Sequence, residues 1–308
     1  MPLVTNKEML IYARENGFAV GAFNAYNMEV VQAIIEAAEE ENAPVIIQIS
    51  EGAIAYGGEK SFAALIKVLA EEATVPVVCH LDHGVNFSTV IKALKAGFTS
   101  LMFDGSSLTF EENIEKTKKL VEIAHAAGIP LEGEIGKIPD AAKGPLSPEE
   151  VKKYLTTPEE ALEFYEKTGV DSLAISVGSA HRMKVQSVQL DIERIARIKD
   201  KVKIPLVLHG ASGVMDDSVI QAVKAGISKV NFATELNKAF THALREELSN
   251  NPDLVDVRKY GAVARENVKK TVKEKIQLLN ATNKAPEILK LINKRSFAMG
   301  NKNVEAIE

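Results

Sequence analysis

Eight short apolar runs alternate with longer amphipathic stretches along this chain, and that alternation restricts the fold more than any other feature. The runs lie near 18–23, 44–49, 76–81, 99–103, 130–135, 171–177, 204–208 and 228–232. Several are almost continuous in Val, Ile and Leu, the pattern of parallel strands covered on both faces. Helical periodicity fills the intervals, as in Met28–Glu41, Phe62–Glu72, Glu111–Ala127, Pro158–Thr168, Asp191–Lys199, Asp216–Ala225 and Glu235–Ser249. Strand followed by helix, eight times with no break in composition, predicts a (β/α)8 TIM barrel. A doubly wound open sheet would need a phosphate-binding glycine fingerprint after an early strand, and none stands there. Helix starts are marked by Ser147-Pro148-Glu149-Glu150 and Thr157-Pro158-Glu159-Glu160, each with an N-cap, a first-turn proline and acids near the positive end. Gly97, Gly128, Gly169 and Gly226 mark helix ends. Beyond about residue 250 only helical patterns remain, Arg258–Asn280 and Ala285–Asn301. The expected organisation is one barrel domain over 1–308. A helical extension over about 250–308 packs on the barrel or on a neighbouring subunit.

Charge and cysteine usage narrow the function classes. With 37 basic and 42 acidic residues, the net charge of −5 gives no support for nucleic-acid binding. Small anionic substrates stay open, because a few local donors can overrule net charge. The single cysteine, Cys79, excludes an intramolecular disulfide and fits a reducing compartment. It sits inside an apolar strand run, which suits a buried inert thiol rather than a nucleophile. The first residues are charged early and lack an apolar signal core, and no apolar run reaches the length of a membrane span. The expected location is the cytoplasm.

Three of the six histidines stand at or just past strand-like runs: His83 after Val77–Leu81, His181 after Leu173–Val177, and His209 after Pro205–Leu208. Strand ends converge on a barrel, so ligands distant in sequence can meet there. Three neutral imidazoles with one open position form the pattern of a catalytic zinc site. The bland alternative is three unrelated polar caps on buried strands. Asp82, next to His83, suits acid/base work beside a Lewis acid; equally, it could orient a histidine or cap a turn. Glu132 and Glu134 fall on one face of a strand, and buried like charges call for a compensating cation. Either they belong to the metal surroundings or the strand end is exposed and pairs with Lys137 or another base. Asp104 ends another strand and joins this acidic group. Gly178-Ser179-Ala180, Gly210-Ala211-Ser212-Gly213 and Asn231-Phe232-Ala233-Thr234 follow strands. The last two follow the seventh and eighth, where barrels bind phosphate on backbone N–H groups.

At these residues the chain resembles the class II, zinc-dependent fructose-bisphosphate aldolases and the related tagatose-bisphosphate aldolases. The resemblance runs nearly end to end. Its marks are Gly21-Ala22-Phe23-Asn24, Ile47–Gly52, His80–Gly84, Asp104-Gly105-Ser106, Glu132–Gly136, Gly169–Ala174, Leu208–Gly213 and Lys229-Val230-Asn231. It implies that His83, His181 and His209 bind catalytic zinc, with Glu134 a nearby alternative ligand and Asp104 and Glu132 in the surroundings. It implies that Asp82 takes the C4 hydroxyl proton as a ketose bisphosphate is cleaved between C3 and C4. Gly210, Ser212, Asn231 and Thr234 would hold the C1 phosphate end, Asn24 and Ser50 would line the pocket, and a monovalent cation would sit near the phosphate loops. Arg258 matches an arginine that reaches the distal phosphate across a subunit boundary, so a homodimer or homotetramer is expected.

The chain departs from the family pattern at three places. Arg182 stands where a glycine usually follows the second zinc histidine. There it would either replace the monovalent cation electrostatically or turn outward to a surface acid. The loop after the glutamate strand, usually an acidic Gly-Gly-Glu-Glu or Gly-Gly-Gln-Glu, reads Lys137–Pro145 here, so the acid that protonates the enediolate is not assigned. Ala233 replaces an aspartate common in fructose-bisphosphate aldolases, as in tagatose-type members. Three other readings stand beside cleavage of fructose 1,6-bisphosphate. They are a tagatose-bisphosphate or other ketose 1-phosphate aldolase, a Schiff-base aldolase using Lys229, and a degenerate barrel that only binds metal and phosphate. Lys229 is expected at the opposite, stability face.

Overall fold

The computed structural model describes residues 3–140, 152–183 and 185–294. The strands are β1 Val20–Asn24, β2 Val45–Ser50, β3 Val77–Asp82, β4 Leu101–Phe103, β5 Leu131–Ile135, β6 Ser172–Ile175, β7 Leu206–Leu208 and β8 Ile227–Phe232. Each lies within two residues of the run predicted for it. All pair in parallel, in the order β3-β2-β1-β8-β7-β6-β5-β4. The ring closes between β3 and β4 through isolated bridges, His80 to Ser100 and Gly84 to Phe103. There the Leu81 N–H donates to the Ser100 carbonyl at 3.0 Å. This is the (β/α)8 barrel expected from the sequence.

Helices follow the strands as α2 Met28–Glu40, α3 Glu51–Gly57, α4 Glu59–Glu72, α5 Phe87–Ala96, α6 Phe110–Ala126, α7 Pro158–Thr168, α8 Ile192–Lys201, α9 Asp216–Ala225 and α10 Thr234–Asn250, with α1 Lys7–Asn16 ahead of β1. The helices α1, α3 and α5 add to those read from the sequence. Thr157 begins α7 with the predicted capping box, its hydroxyl accepting from the Glu160 N–H while Glu160 accepts from the Thr157 N–H. The companion signal at Ser147 lies outside the described residues. Past residue 250 come α11 Val257–Leu278, packed on α2 and α10, and α12 over 285–294. The expected continuation of α12 to Asn301 lies outside the described residues. No helix among the described residues is long and apolar enough to cross a membrane.

Side chains alternate along each strand, so one set fills the barrel and the other meets the helices. Outward-facing Phe23 and Phe232 stack with centroids 5.7 Å apart. Gly133 faces Phe164 of α7 so closely that a Cβ there would lie 2.7 Å from the ring. The inward set changes character up the barrel. Val20, Ile46 and Val78 are apolar at the start of the strands, then come Gln48, His80, Glu132 and Lys229, then Asn24, Asp82, Glu134, His209 and Asn231, all buried. Such charge inside a barrel is costly unless paired, so the core itself points to the carboxyl ends of the strands as the functional face.

Candidate active site

A cavity of about 590 Å³ opens at that face. Its lining includes His83, His181, His209, Asp82, Asp104, Glu134, Asn24, Ser50, Gly210, Ser212, Asn231, Thr234 and Arg182. Of the site residues named from the sequence, Glu132 lies in the layer beneath this lining and Arg258 is elsewhere. It begins α11, largely exposed, with its guanidinium forked onto its near neighbour Asp256 at 2.9 and 3.0 Å.

The histidines meet as predicted. The Nε2 of His83 lies 2.9 Å from Nδ1 of His209, and the His181 ring centroid is 4.8 Å from that of His83. Ligand atoms of His83, His181 and His209 all fall within 4.8 Å of one another, and His83, Asp104 and Glu134 form a second such group. The ring orientations are fixed from behind. Asp104 Oδ2 accepts from His83 Nδ1 at 2.7 Å, which leaves Nε2 facing the cavity. Glu132 Oε1 accepts from His209 Nε2 at 3.0 Å, which leaves Nδ1 facing it. Carboxylates in this backing position are the usual orienting partners of metal-ligating histidines. Asp104 is itself held by the Ser106 hydroxyl and N–H at 2.6 and 3.1 Å.

The electrostatics ask for a cation. Burial pushes the His83 ring down, yet Asp82, Asp104 and Glu134 around it overcome this and raise its pKa to about 10. Burial and the His83 charge lower His181 to about 4, and burial with the same neighbour holds His209 well below its ordinary value. Two of the rings are therefore neutral, the form in which an imidazole can bind a metal. Burial, Asp104 and Glu132 push Glu134 well above the carboxylate range, and its buried Oε2 has no hydrogen-bond partner. An orphaned carboxylate oxygen beside converging imidazole nitrogens fits a divalent metal ion. Backbone strain marks the same place. Among the described non-glycine residues with positive φ, three are asparagines, which tolerate it, and the others are His83 at 48° and Arg182 at 58°.

Asp82 ends β3 with its Oδ1 3.9 Å from His83 Nε2. Asn24 donates to its Oδ2 at 2.7 Å and Asn231 to its Oδ1 at 3.3 Å, while Gln48 donates to Asn24 at 2.7 Å. Burial raises its pKa, but His83, His209 and the Asn24 amide outweigh this and hold the carboxyl below its usual range. A carboxylate held ionised in this way could accept a proton. Orienting a histidine falls to Asp104 and Glu132 instead.

One expectation changes and two open choices narrow. Glu132 and Glu134 do not end an exposed strand, and Lys137 does not pair with them; it lies over the Tyr154 ring, 5.3 Å from its centroid. Lys229 is not at the opposite face. It points into the barrel from within β8, fully buried, 2.9 Å from Glu132 Oε2, and is absent from the cavity lining. An amine so enclosed and paired has no open approach for a carbonyl substrate, which counts against Schiff-base chemistry. Arg182 turns to Asp140, their side chains hydrogen-bonded at the cavity mouth, where Pro139 O also accepts from the His181 N–H at 2.7 Å. Asp140, Tyr26, Gln48, Ser106 and Ile138 line the cavity without having been singled out from sequence. Gln48 and Ser106 lay inside recognised motifs, and Ile138 and Asp140 inside the divergent loop Lys137–Pro145, whereas Tyr26 had no local signal.

Fold and site together define a (β/α)8 barrel whose open face holds a buried carboxylate beside three imidazoles that could hold a metal ion. A model of the family described as class II fructose-bisphosphate aldolase matches residues 4–284. A fructose-bisphosphate aldolase of Thermus caldophilus is 42% identical over 306 residues, covering 92% of this chain and all of that one. One from Staphylococcus epidermidis is 42% identical over 288 residues, with the same coverage. The crystal structure of the YdjI aldolase from Escherichia coli K12 superposes with a TM-score of 0.81 at 36% identity, covering 92% of this chain and 99% of that chain. The chain belongs to the class II fructose-bisphosphate aldolase family.

Proposed function

We propose that this chain is a zinc-dependent aldolase, a lyase that reversibly cleaves fructose 1,6-bisphosphate to dihydroxyacetone phosphate and glyceraldehyde 3-phosphate. The observation that carries the reading is the pairing of a metal-ready nitrogen set with an ionised base. His83 Nε2 and His209 Nδ1 face one point from 2.9 Å apart, and Asp82 sits 3.9 Å from the first of them.

The imidazoles of His83, His181 and His209 would hold the ion, with Glu134 and Asp104 close enough to take part as its environment changes. Zinc bound there would supply Lewis-acid stabilisation of the negative charge left as the C3–C4 bond breaks. Asp82 accepts the C4 hydroxyl proton during cleavage and returns it during condensation; the amides of Asn24 and Asn231 keep both its oxygens aimed and ionised. Gly210, Ser212 and Thr234 bind the C1 phosphate. Gly210 leaves no room for a side chain, since a Cβ would lie 2.7 Å from Ala180 O, so the loops after β6 and β7 touch. A monovalent cation beside these loops would add positive charge, and Arg182, paired with Asp140, would face the substrate from the mouth. Arg258, exposed on its own chain, reads the distal phosphate of a partner's substrate in a homodimer or homotetramer. The chain works as one domain, the helices after residue 250 included, on a small sugar phosphate in cytoplasmic glycolysis, with no nucleic-acid or membrane partner.

Ala233 favours a second reading, a tagatose-bisphosphate or other ketose 1-phosphate aldolase, because it lines the cavity at a position where aspartate accompanies fructose-type members. Turnover should be measured on fructose 1,6-bisphosphate, tagatose 1,6-bisphosphate and fructose 1-phosphate. The first should give the highest kcat/KM. A preference for tagatose 1,6-bisphosphate would move the assignment to the second reading, and turnover of none would leave a barrel that binds without catalysis.

A further inference from the structure

Beneath the cavity lies a chain of buried polar groups that meets no substrate. Lys229 Nζ is 2.9 and 3.2 Å from the two oxygens of Glu132 and 3.3 Å from Nε2 of His80. An ammonium only donates, so His80 accepts at Nε2, and its Nδ1–H then donates to Ser100 Oγ at 2.7 Å. On the other side a carboxylate only accepts, so the hydrogen of His209 sits on Nε2, 3.0 Å from Glu132 Oε1. The lone pair of His209 is thereby committed to Nδ1. Lys229, His80, Glu132 and His209 are each at most 1% exposed. In such surroundings an ionised Glu132 needs a cation at contact distance, and Lys229 is the cation that meets it.

We propose that Lys229 is a positioning residue for the metal: through Glu132 it fixes His209 with the Nδ1 lone pair turned to the ion. Its opposite contact, with His80, anchors the ammonium to β3 and, through Ser100, to the residues leading into β4. One lysine thus ties the strand that carries Asp82 to the strand that carries Glu132, in the layer directly below the chemistry. This inference rests on the reading of His209 as a ligand. It assigns Lys229 to metal retention, not to contact with substrate.

The test compares the full-length protein with Lys229→Met and with the double variant Lys229→Met/Glu132→Gln. The double variant removes the Lys229–Glu132 charge pair as a whole at close to the original volume, so that no charge is left unpaired in that layer, whereas the single variant leaves Glu132 without its ammonium partner. Zinc affinity is measured by competition with a chromophoric chelator. The ring nitrogens of His209 are followed by 15N NMR of the zinc-loaded protein. Loss of a partner of this kind typically weakens metal binding about ten- to a hundredfold, and both variants should fall in that range. In Lys229→Met the His209 signals should also lose the pattern of a protonated Nε2 with a coordinated Nδ1. A purely structural lysine would lower the unfolding midpoint of the metal-free protein and leave the affinity of folded protein alone. Zinc affinity within about threefold of the parent in a folded variant, with unchanged His209 signals, would overturn the proposal. A parent protein that takes up no zinc would instead overturn the reading of the site.

Discussion

Asp82 shows how much a single side chain depends on its support. Its oxygens take hydrogen bonds from two amides, and a third amide, on Gln48, holds the first of those in place. Asp82→Asn keeps the size but cannot accept a proton, and its amide would face the donors of Asn24 and Asn231. A general base contributes roughly a hundred- to ten-thousandfold in rate, so kcat for cleavage should fall by about that much while zinc content is retained. A variant within a few-fold of the parent would make Asp82 structural. At this scale the sequence was generous where motif and strand end coincided: His83, His181, His209, Asp82 and Asp104 were legible because each follows or ends an apolar run. It named Lys229 only as a Schiff-base candidate and His80 only within a motif, and their contact with each other and with Glu132 is visible only once β8 and β3 are set across the barrel from β5. Arg182 was legible as a departure, but its partner Asp140, 42 positions away, was not.

At the scale of elements, the seam between β3 and β4 deserves a test because it closes the ring through isolated bridges. Gly84 follows His83 there. A Cβ at this position would lie 2.6 Å from the Met102 carbonyl oxygen and 2.8 Å from Leu81. The backbone atom cannot swing aside, so Gly84→Ala must part the two strands. Overpacking of this kind costs about 1–3 kcal/mol, and the urea unfolding midpoint should fall accordingly. An unchanged midpoint would show that the seam yields freely. Strand positions were readable because strands buried on both faces are nearly pure Val, Ile and Leu, and the helices that carry a clear apolar stripe were readable too. The short α3 and the helices α1 and α5 escaped. Asn6 before α1 and Asn86 before α5 give no side-chain cap hydrogen bond, so the usual start signal is weak at both.

Over the whole molecule, a chain of net charge −5 gathers Asp82, Asp104 and Glu134 at one barrel mouth and Glu132 in the layer below, where one buried lysine pairs with Glu132. That imbalance is stable only with further positive charge in the cavity, which the raised pKa of His83 already expresses. A divalent ion answers it, and in turn gives the three imidazoles, the orphaned Glu134 oxygen and the ionised Asp82 a common purpose. The central claim is therefore the metal. The direct measurement is fructose 1,6-bisphosphate cleavage by the purified chain as isolated, after chelation, and after zinc is restored, with the bound metal counted by elemental analysis at each stage. One zinc per chain, activity lost on chelation and regained with zinc is the predicted result; full activity in protein stripped of transition metal would contradict it.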